Sequence, residues 1–354
     1  MIDETKQYIK ICLDFFKGYK RYLSQKYPIE LTHNKKYIFI FFAADYNNLG
    51  DLAITIAQER FLHELLGTKY NIIRVPEYQT YECVRKIRKL TPNNVVITLI
   101  GGGNNGSLYE FLETPRRFIL RFLRNYEIIS FPQTVVYENT IRGELYKRRF
   151  IKLSQNCSNF TLIAREKKSF MFYNNNIKDV KAILAPDIVY YLDNYSFEGK
   201  RKVNAIAFIM RDDKEKDLNL EFQNMMICKT KELFKELYFY DTCDVNFQND
   251  NAQQLLEEYI FKLYNLKIAV TDRLHGMILC YISRTPCIVI DNNNGKIKST
   301  FDTWMQKQNF IRMFNPNEGI ERYLRLIHEL KNIEISCDDI VEEFIPLRIL
   351  FEGR

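Results

Sequence analysis

Residues 270–280 read VTDRLHGMILC, a dense group of residues able to do chemistry. An apolar run ends, and Thr271, Asp272, Arg273, His275 and Gly276 fall within six positions before a second apolar run begins. An imidazolium can give up a proton near neutral pH. The planar guanidinium fork fits a carboxylate or a phosphate. Asp272 is placed to hold either group. An isolated histidine is more often a satisfied core residue. One beside an arginine, between an apolar strand and an apolar helix, reads as functional.

The same search finds other polar residues directly after apolar runs. DYNNLGDLAI (45–54) follows YIFIFFAA (37–44) and offers Asn48, Gly50 and Asp51. Gly50 eases the turn. Asp51 suits a helix N-cap and equally a carboxylate able to take a proton from a sugar hydroxyl. Arg165, in AREKKS (164–169), follows FTLIA and is a candidate anion ligand. An ion pair with a local acid is its alternative, and Asp187 of APDIV (185–189) is placed to orient it. DNNNGKIKST (291–300) brings Lys296 and Lys298 to another helix start, a second place for an anion.

LIGGGNNGS (99–107) contains the spacing G-x-G-x-x-G at Gly101, Gly103 and Gly106. A dinucleotide fingerprint needs that loop on the first strand-to-helix turn, with an acidic residue ~20 positions later. Here the loop follows the third strand, and the next strand ends in Phe131, Pro132 and Gln133. A Walker loop needs a Gly-Lys-Ser/Thr that is absent. What remains is a turn opening a helix at the carboxyl edge of a sheet. Gly102, Gly103, Asn104 and Gln133 then line a cleft, where backbone N–H groups can meet an anion or a sugar oxygen. A plain tight turn explains the glycines as well.

These residues need a scaffold, and the pattern around them supplies one. Short apolar runs at 37–44, 71–75, 95–100, 127–131, 160–164 and 179–184 alternate with helical periodicity over 51–66, 79–90, from about 108, 142–156 and 166–174. A polar segment, 192–202, reads as a linker. The alternation resumes with strands at 204–210, 236–240, 266–271 and 287–291, and helices near 217–234, 251–264, 275–282 and 297–306. A helical pair at about 317–331 and 338–352 closes the chain. Such alternation predicts two doubly wound, Rossmann-like α/β domains (1–193 and 203–354) facing a cleft. An N-terminal helix over 4–27 mixes Ile9, Ile11, Phe15, Phe16, Tyr19 and Leu23 with lysines. It reads as a helix packed on the domain, or as a basic amphipathic surface for a membrane or a partner.

At 354 residues the chain exceeds the usual single core, in keeping with two domains. A net charge of +7 suits an anionic substrate or an anionic membrane surface. There is no basic low-complexity tail, so nucleic acid is not expected as a partner. The eight cysteines form no C-x-x-C, and the four histidines are far apart, so zinc-ligand spacing is missing. Scattered cysteines suggest reduced thiols in a cytosol. MIDETKQYIK lacks a signal peptide's apolar run, and no stretch reaches the roughly 18 apolar residues of a membrane span. The expected location is cytoplasmic, with the inner membrane face as a place to visit.

NLGDLAI, LIGGGN, ISFPQT, AREKKS, APDIV, TDRLHG and DNNNGKIKSTFDTW, taken together and in this order, resemble the polysaccharide pyruvyl transferase family. The resemblance spans about residues 47–304 and implies a two-domain architecture similar to GT-B glycosyltransferases. It implies transfer of pyruvate from phosphoenolpyruvate to two hydroxyls of a sugar, forming a ketal and releasing phosphate. The setting implied is exopolysaccharide, capsule or cell-wall synthesis, with a sugar or lipid-linked oligosaccharide as acceptor. Under that reading Arg165, Arg273 and Lys296 bind the donor, His275 is the acid and Asp51 the base, and neither a metal nor a redox cofactor is called for. A GT-B glycosyltransferase using a nucleotide sugar is the rival enzyme, and a noncatalytic glycan-binding protein the rival outside enzymes.

Overall fold

A computed structural model of the chain describes residues 2–24, 28–195, 197, 203–212, 216–243 and 251–354. The chain divides into two compact units. One comprises residues 1–44, 54–188 and 343–354, the other 45–53 and 189–342.

The first unit opens with helix α1 (Ile2–Ser24). Strand β1 (Tyr37–Phe41) follows, and then helix α2 (Leu49–Leu66), whose first turn is counted with the second unit. Next come β2 (Asn71–Val75), α3 (Thr80–Ile87), β3 (Val95–Leu99), β4 (Gly102–Gly106) and α4 (Glu110–Phe122). β5 (Glu127–Val136), α5 (Ile141–Gln155), β6 (Asn159–Ala164), α6 (Lys167–Asn176) and β7 (Lys181–Leu184) complete the alternation. The sheet order is β2-β1-β3-β5-β6-β7, all parallel, with β4 added against β5. β1 (YIFIF) and β3 (VVITL) are buried along their whole length, as a parallel strand covered on both faces must be. The C-terminal residues belong to this unit because Phe351 packs on Phe61 and Phe131, and Arg354 pairs with Glu127.

The second unit is built from β8 (Ala205–Ile209), α7 (Leu220–Lys231), β9 (Glu236–Tyr240), α8 (Ala252–Tyr264), β10 (Ile268–Thr271) and α9 (Leu274–Ile282). β11 (Cys287–Ile290), α10 (Lys296–Thr300), β12 (Ile311–Phe314) and α11 (Ile320–Lys331) follow. Its parallel sheet runs β12-β11-β10-β8-β9. Thr271 stands opposite both Ile209 and Val289, so the segments after β8, β10 and β11 leave the sheet along one edge. Its core gathers Phe208, Val270, Ile288, Phe314, Tyr323 and their neighbours.

Two sequence expectations are corrected, the glycine stretch and the last helix. The glycine stretch is not a turn opening a helix. Gly102–Gly106 runs extended beside β5, with Gly102 opposite Gln133 and Gly106 opposite Val136, and β5 continues to Val136 to meet it. β12 (IRMF) is a strand that its length and its arginine conceal. The helix expected near 297–306 is present, as α10 continuing into a π-helical turn, Phe301–Met305. The helix expected over 338–352 reduces to a 3-10 turn, Val341–Phe344, and a short helix, Ile345–Arg348. Much of the expected linker at 192–202, like residues 25–27 of the N-terminal helix, lies outside the described residues.

Candidate active site

In the second unit, chemistry concentrates where β10 hands over to α9. The Thr271 hydroxyl donates to the Ile209 carbonyl (2.8 Å) and accepts the Arg273 N–H (3.0 Å), which turns the chain and starts the helix. A β-carbon at Gly276 would lie 3.1 Å from Thr271 Cβ and closer still to its hydroxyl, so the turn requires glycine there. Thr271 and Gly276 are therefore architecture. Asp272, Arg273 and His275 are what they present.

Asp272 is buried, and its Oδ1 accepts the Arg211 N–H at 2.8 Å. Its Oδ2 has no hydrogen-bond partner among the described residues. Burial pushes the carboxyl up to about 6, against the Arg211 N–H and the charges of Arg211 and Arg273, which pull it down. Arg273 is only 9% exposed. Its Nη2 lies 2.7 Å from Asp241 Oδ1, just past β9, and Nη1 lies 3.8 Å from Cys243 Sγ. Its Nε has no partner among the described residues.

His275 stands in the first turn of α9, and the first turn of α2 is pressed against its ring. A β-carbon at Gly50 would lie 2.7 Å from His275 Cγ and closer to Nδ1. Asn48 caps α2, its Oδ1 accepting the N–H groups of Gly50 (3.0 Å) and Asp51 (3.3 Å). The Leu49 N–H donates to the Thr242 carbonyl at 2.7 Å and pins this turn to the segment that carries Asp241 and Cys243. The N-cap is thus Asn48, not Asp51. Asp51 sits inside the first turn and accepts the Tyr46 phenol at 2.9 Å. Burial raises the Cys243 thiol, and the charges of Arg273, Asp241 and Asp51 all act on it. Those four side chains therefore share one electrostatic neighbourhood.

Lys296 opens α10, after the next strand of the same sheet, and follows Gly295 in the left-handed region (φ 71°). Its N–H donates to Asn294 Oδ1 at 3.1 Å. Lys298 is engaged with Asp302 at 2.7 Å.

In the first unit, the carboxyl edge is an interlocked polar core. Arg165 is 1% exposed, donates from Nε to Thr134 Oγ1 (2.7 Å) and from Nη1 to Asp187 Oδ2 (2.7 Å), and so forms the local ion pair. Gln133 donates to the Ile100 carbonyl (2.6 Å) and to Asn104 Oδ1 (2.9 Å), and accepts from Ser130 (2.7 Å). Arg116, fully buried, donates to buried Glu113 at 3.1 Å and to half-buried Asn104 Oδ1 at 2.8 Å. Burial raises the Glu113 carboxyl, with Arg116 and Arg117 opposing. Two glycine N–H groups are spent on the protein: Gly101 donates to Gln58 Oε1 (3.2 Å) and Gly106 to Glu113 Oε1 (3.2 Å). Gly102 and Gly103 lie on β4 between them.

The structure thus gathers Asn48, Gly50, Asp51, Arg273 and His275 in one unit, and Gly102, Gly103, Asn104, Gln133 and Arg165 in the other. Sequence reasoning missed Arg211 and Asp241, although Asp241 directly follows β9 and Arg211 lies two residues past β8. Glu113, Arg116 and Gln58 carried no such signal, since a charge or amide on a helix ordinarily faces water. Among the described residues no cluster of His, Cys, Asp and Glu is arranged to hold a metal ion.

Parallel α/β sheets with polar clusters at their carboxyl edges place the chain in the GT-B-like class of α/β enzymes. Two solved structures share this fold: a functionally uncharacterised protein of Klebsiella pneumoniae (TM-score 0.53, 20% identity, 86% of this chain and 98% of that one) and a UDP-GlcNAc 2-epimerase of Methanocaldococcus jannaschii (TM-score 0.53, 10% identity, 90% and 100%). The sequence pattern of the polysaccharide pyruvyl transferase family matches residues 48–294, and the chain belongs to that family of transferases. Curated relatives include General stress protein 30 of Bacillus subtilis, 31% identical over 90% of this chain and 92% of that one. Pyruvyl transferase 1 of Schizosaccharomyces pombe is 27% identical over 74% and 68%.

Proposed function

We propose that this transferase moves pyruvate from phosphoenolpyruvate onto two hydroxyls of a sugar in a lipid-linked glycan, which it meets at a membrane face. The reading is carried chiefly by the packing of the Gly50 turn on His275, which sets the turn that carries the candidate base Asp51 against the ring of the candidate acid. His275 gives a proton to the methylene carbon of the enol, and positive charge develops at the central carbon. A sugar hydroxyl attacks that carbon as Asp51 takes its proton. The phosphate departs, taking the proton of the second hydroxyl as that hydroxyl closes the ring, and proton exchange with solvent returns Asp51 to its carboxylate and His275 to its imidazolium. One donor and two hydroxyls thus yield one ketal and one phosphate.

The donor carries a carboxylate and a phosphate. Arg273 meets one of them by exchanging Asp241 for the incoming anion, and Lys296 adds a second cation. Arg165 receives no donor contact in this reading, because its pair with Asp187 is fully buried, whereas Asp241, the partner of Arg273, is 38% exposed. It holds the edge of the first sheet instead. Incubation with phosphoenolpyruvate and candidate glycans tests the proposal, with phosphate release and a pyruvyl mass gain as readouts. Release of nucleotide from a sugar nucleotide, with phosphoenolpyruvate untouched, would favour a glycosyltransferase instead.

A further inference from the structure

Helix α1 has two apolar faces, and only one of them is covered. Ile11 is fully buried, Phe15 stacks on Phe118 and Phe122 with centroids 5.4 and 6.4 Å away, and Tyr22 lies on the same two rings. That face docks the helix on α3, α4 and α5. The opposite face carries Ile9, Leu13, Phe16 and Leu23, spaced three, four and seven apart, each between 51% and 58% exposed. Phe15 and Phe16 are thus neighbours in sequence with opposite destinations. Residues at that spacing form one stripe along a helix, and 23 residues give it a length of roughly 35 Å.

Charge decides what covers the stripe. Lys20 lies within it, its ammonium 5.7 Å from the Phe16 ring centroid. Lys6, Lys10 and Lys17 fall along one flank. An apolar ridge bordered by ammonium groups on long alkyl stems suits the boundary between acyl chains and anionic headgroups, where lysines reach outward while the stripe sinks in. A second copy of the same helix would bring like charges together. No helix among the described residues is long and apolar enough to cross a membrane, so the contact is peripheral.

We infer that the Ile9–Leu13–Phe16–Leu23 face of α1 docks on an anionic lipid bilayer. The inference extends the lipid-linked part of the proposed function. Its test involves no pyruvyl transfer, so the two can fail separately.

The experiment is flotation of the full chain with vesicles of 3:7 phosphatidylglycerol to phosphatidylcholine, and of phosphatidylcholine alone, at low and high salt. The wild type floats with the anionic vesicles and dissociates as salt rises, because exposed charges are screened beyond ~8 Å at physiological ionic strength. Leu13→Gln/Phe16→Gln lowers the bound fraction at least tenfold. Those two side chains are more than half exposed, so the fold has little to lose, and unchanged circular dichroism controls for it. Lys10→Gln/Lys20→Gln lowers binding to anionic vesicles without creating binding to neutral ones. Equal flotation of wild type and the Leu13/Phe16 variant overturns the assignment. So does absence of flotation at low salt, or a concentration-dependent dimer in sedimentation that the same variant abolishes.

Discussion

Replacing Gly50 by alanine tests the contact that joins the two halves of the proposed chemistry. The added carbon would lie 2.7 Å from His275 Cγ, where ordinary contact begins at 3.4 Å. The ring must retreat by about 0.7 Å at Cγ and further at Nδ1, a displacement on the order of 1 Å. Overpacking of this kind costs ~1–3 kcal/mol. Alanine in place of a helical glycine returns up to ~1 kcal/mol. The net loss of stability is therefore ~0–3 kcal/mol, and the fold survives. Catalysis is less tolerant, since a misplacement of ~1 Å in a reacting group costs ~10²-fold. Gly50→Ala should lower turnover ~10²-fold while urea denaturation shifts little. A double-mutant cycle supplies the sharper result. In a His275→Gln background, which itself loses ~10²–10⁴-fold, the Gly50 substitution should add almost nothing. Near wild-type turnover in Gly50→Ala, or an undiminished effect in the His275→Gln background, would refute the reasoning.

Arg273→Ala should raise the donor dissociation constant by ~10²-fold or more, the equivalent of removing one member of a buried pair at ~3–5 kcal/mol; calorimetry with phosphoenolpyruvate checks this. Asp272 carries a pH signature. Its carboxyl, raised to about 6 by burial, contributes stability that is present below the unfolded value near 3.8 and is lost as pH rises through about 6. Urea unfolding should therefore show up to ~3 kcal/mol of stability lost across that window in the wild type, and a flatter profile in Asp272→Asn. Arg165→Ala should cost ~3–5 kcal/mol of stability by stranding Asp187; soluble, fully stable Arg165→Ala protein with abolished donor affinity would return that arginine to the donor site.

The cluster around α9 was legible because apolar strands end abruptly there. A charge immediately after a buried run must face the sheet edge or be paired, and that rule found Arg165, Arg273 and His275. Applied once more it would have found Arg211 after the apolar run AIAFIM; Asp241 follows an edge strand, ELYFY, that is only partly buried, so the rule does not reach it. It cannot tell a fully buried ion pair from one whose carboxylate reaches solvent, which is why Arg165, paired with Asp187, looked equivalent to Arg273, paired with Asp241. β4 was hidden for a different reason. GGNNG has no strand propensity, and its extended course is imposed by β5, by Gln58 and by the buried Glu113–Arg116 pair. The α2 cap was misassigned by three residues because Asn48 and Asp51 are both good capping residues, and only the loop's path chooses between them. Phe15 and Phe16 both fit a helical stripe, and the pattern of apolar residues alone does not say which face the fold will cover.

The central claim is that a pyruvyl group passes from phosphoenolpyruvate to a sugar by acid–base chemistry at His275 and Asp51. Mass spectrometry of lipid-linked glycans incubated with the protein and phosphoenolpyruvate tests it most directly. One pyruvyl ketal should be added per acceptor and one phosphate released for each, and both should be lost in His275→Gln with donor binding retained. Ketal formation at an unchanged rate in His275→Gln, or glycan extension from a sugar nucleotide with phosphoenolpyruvate unconsumed, would contradict it.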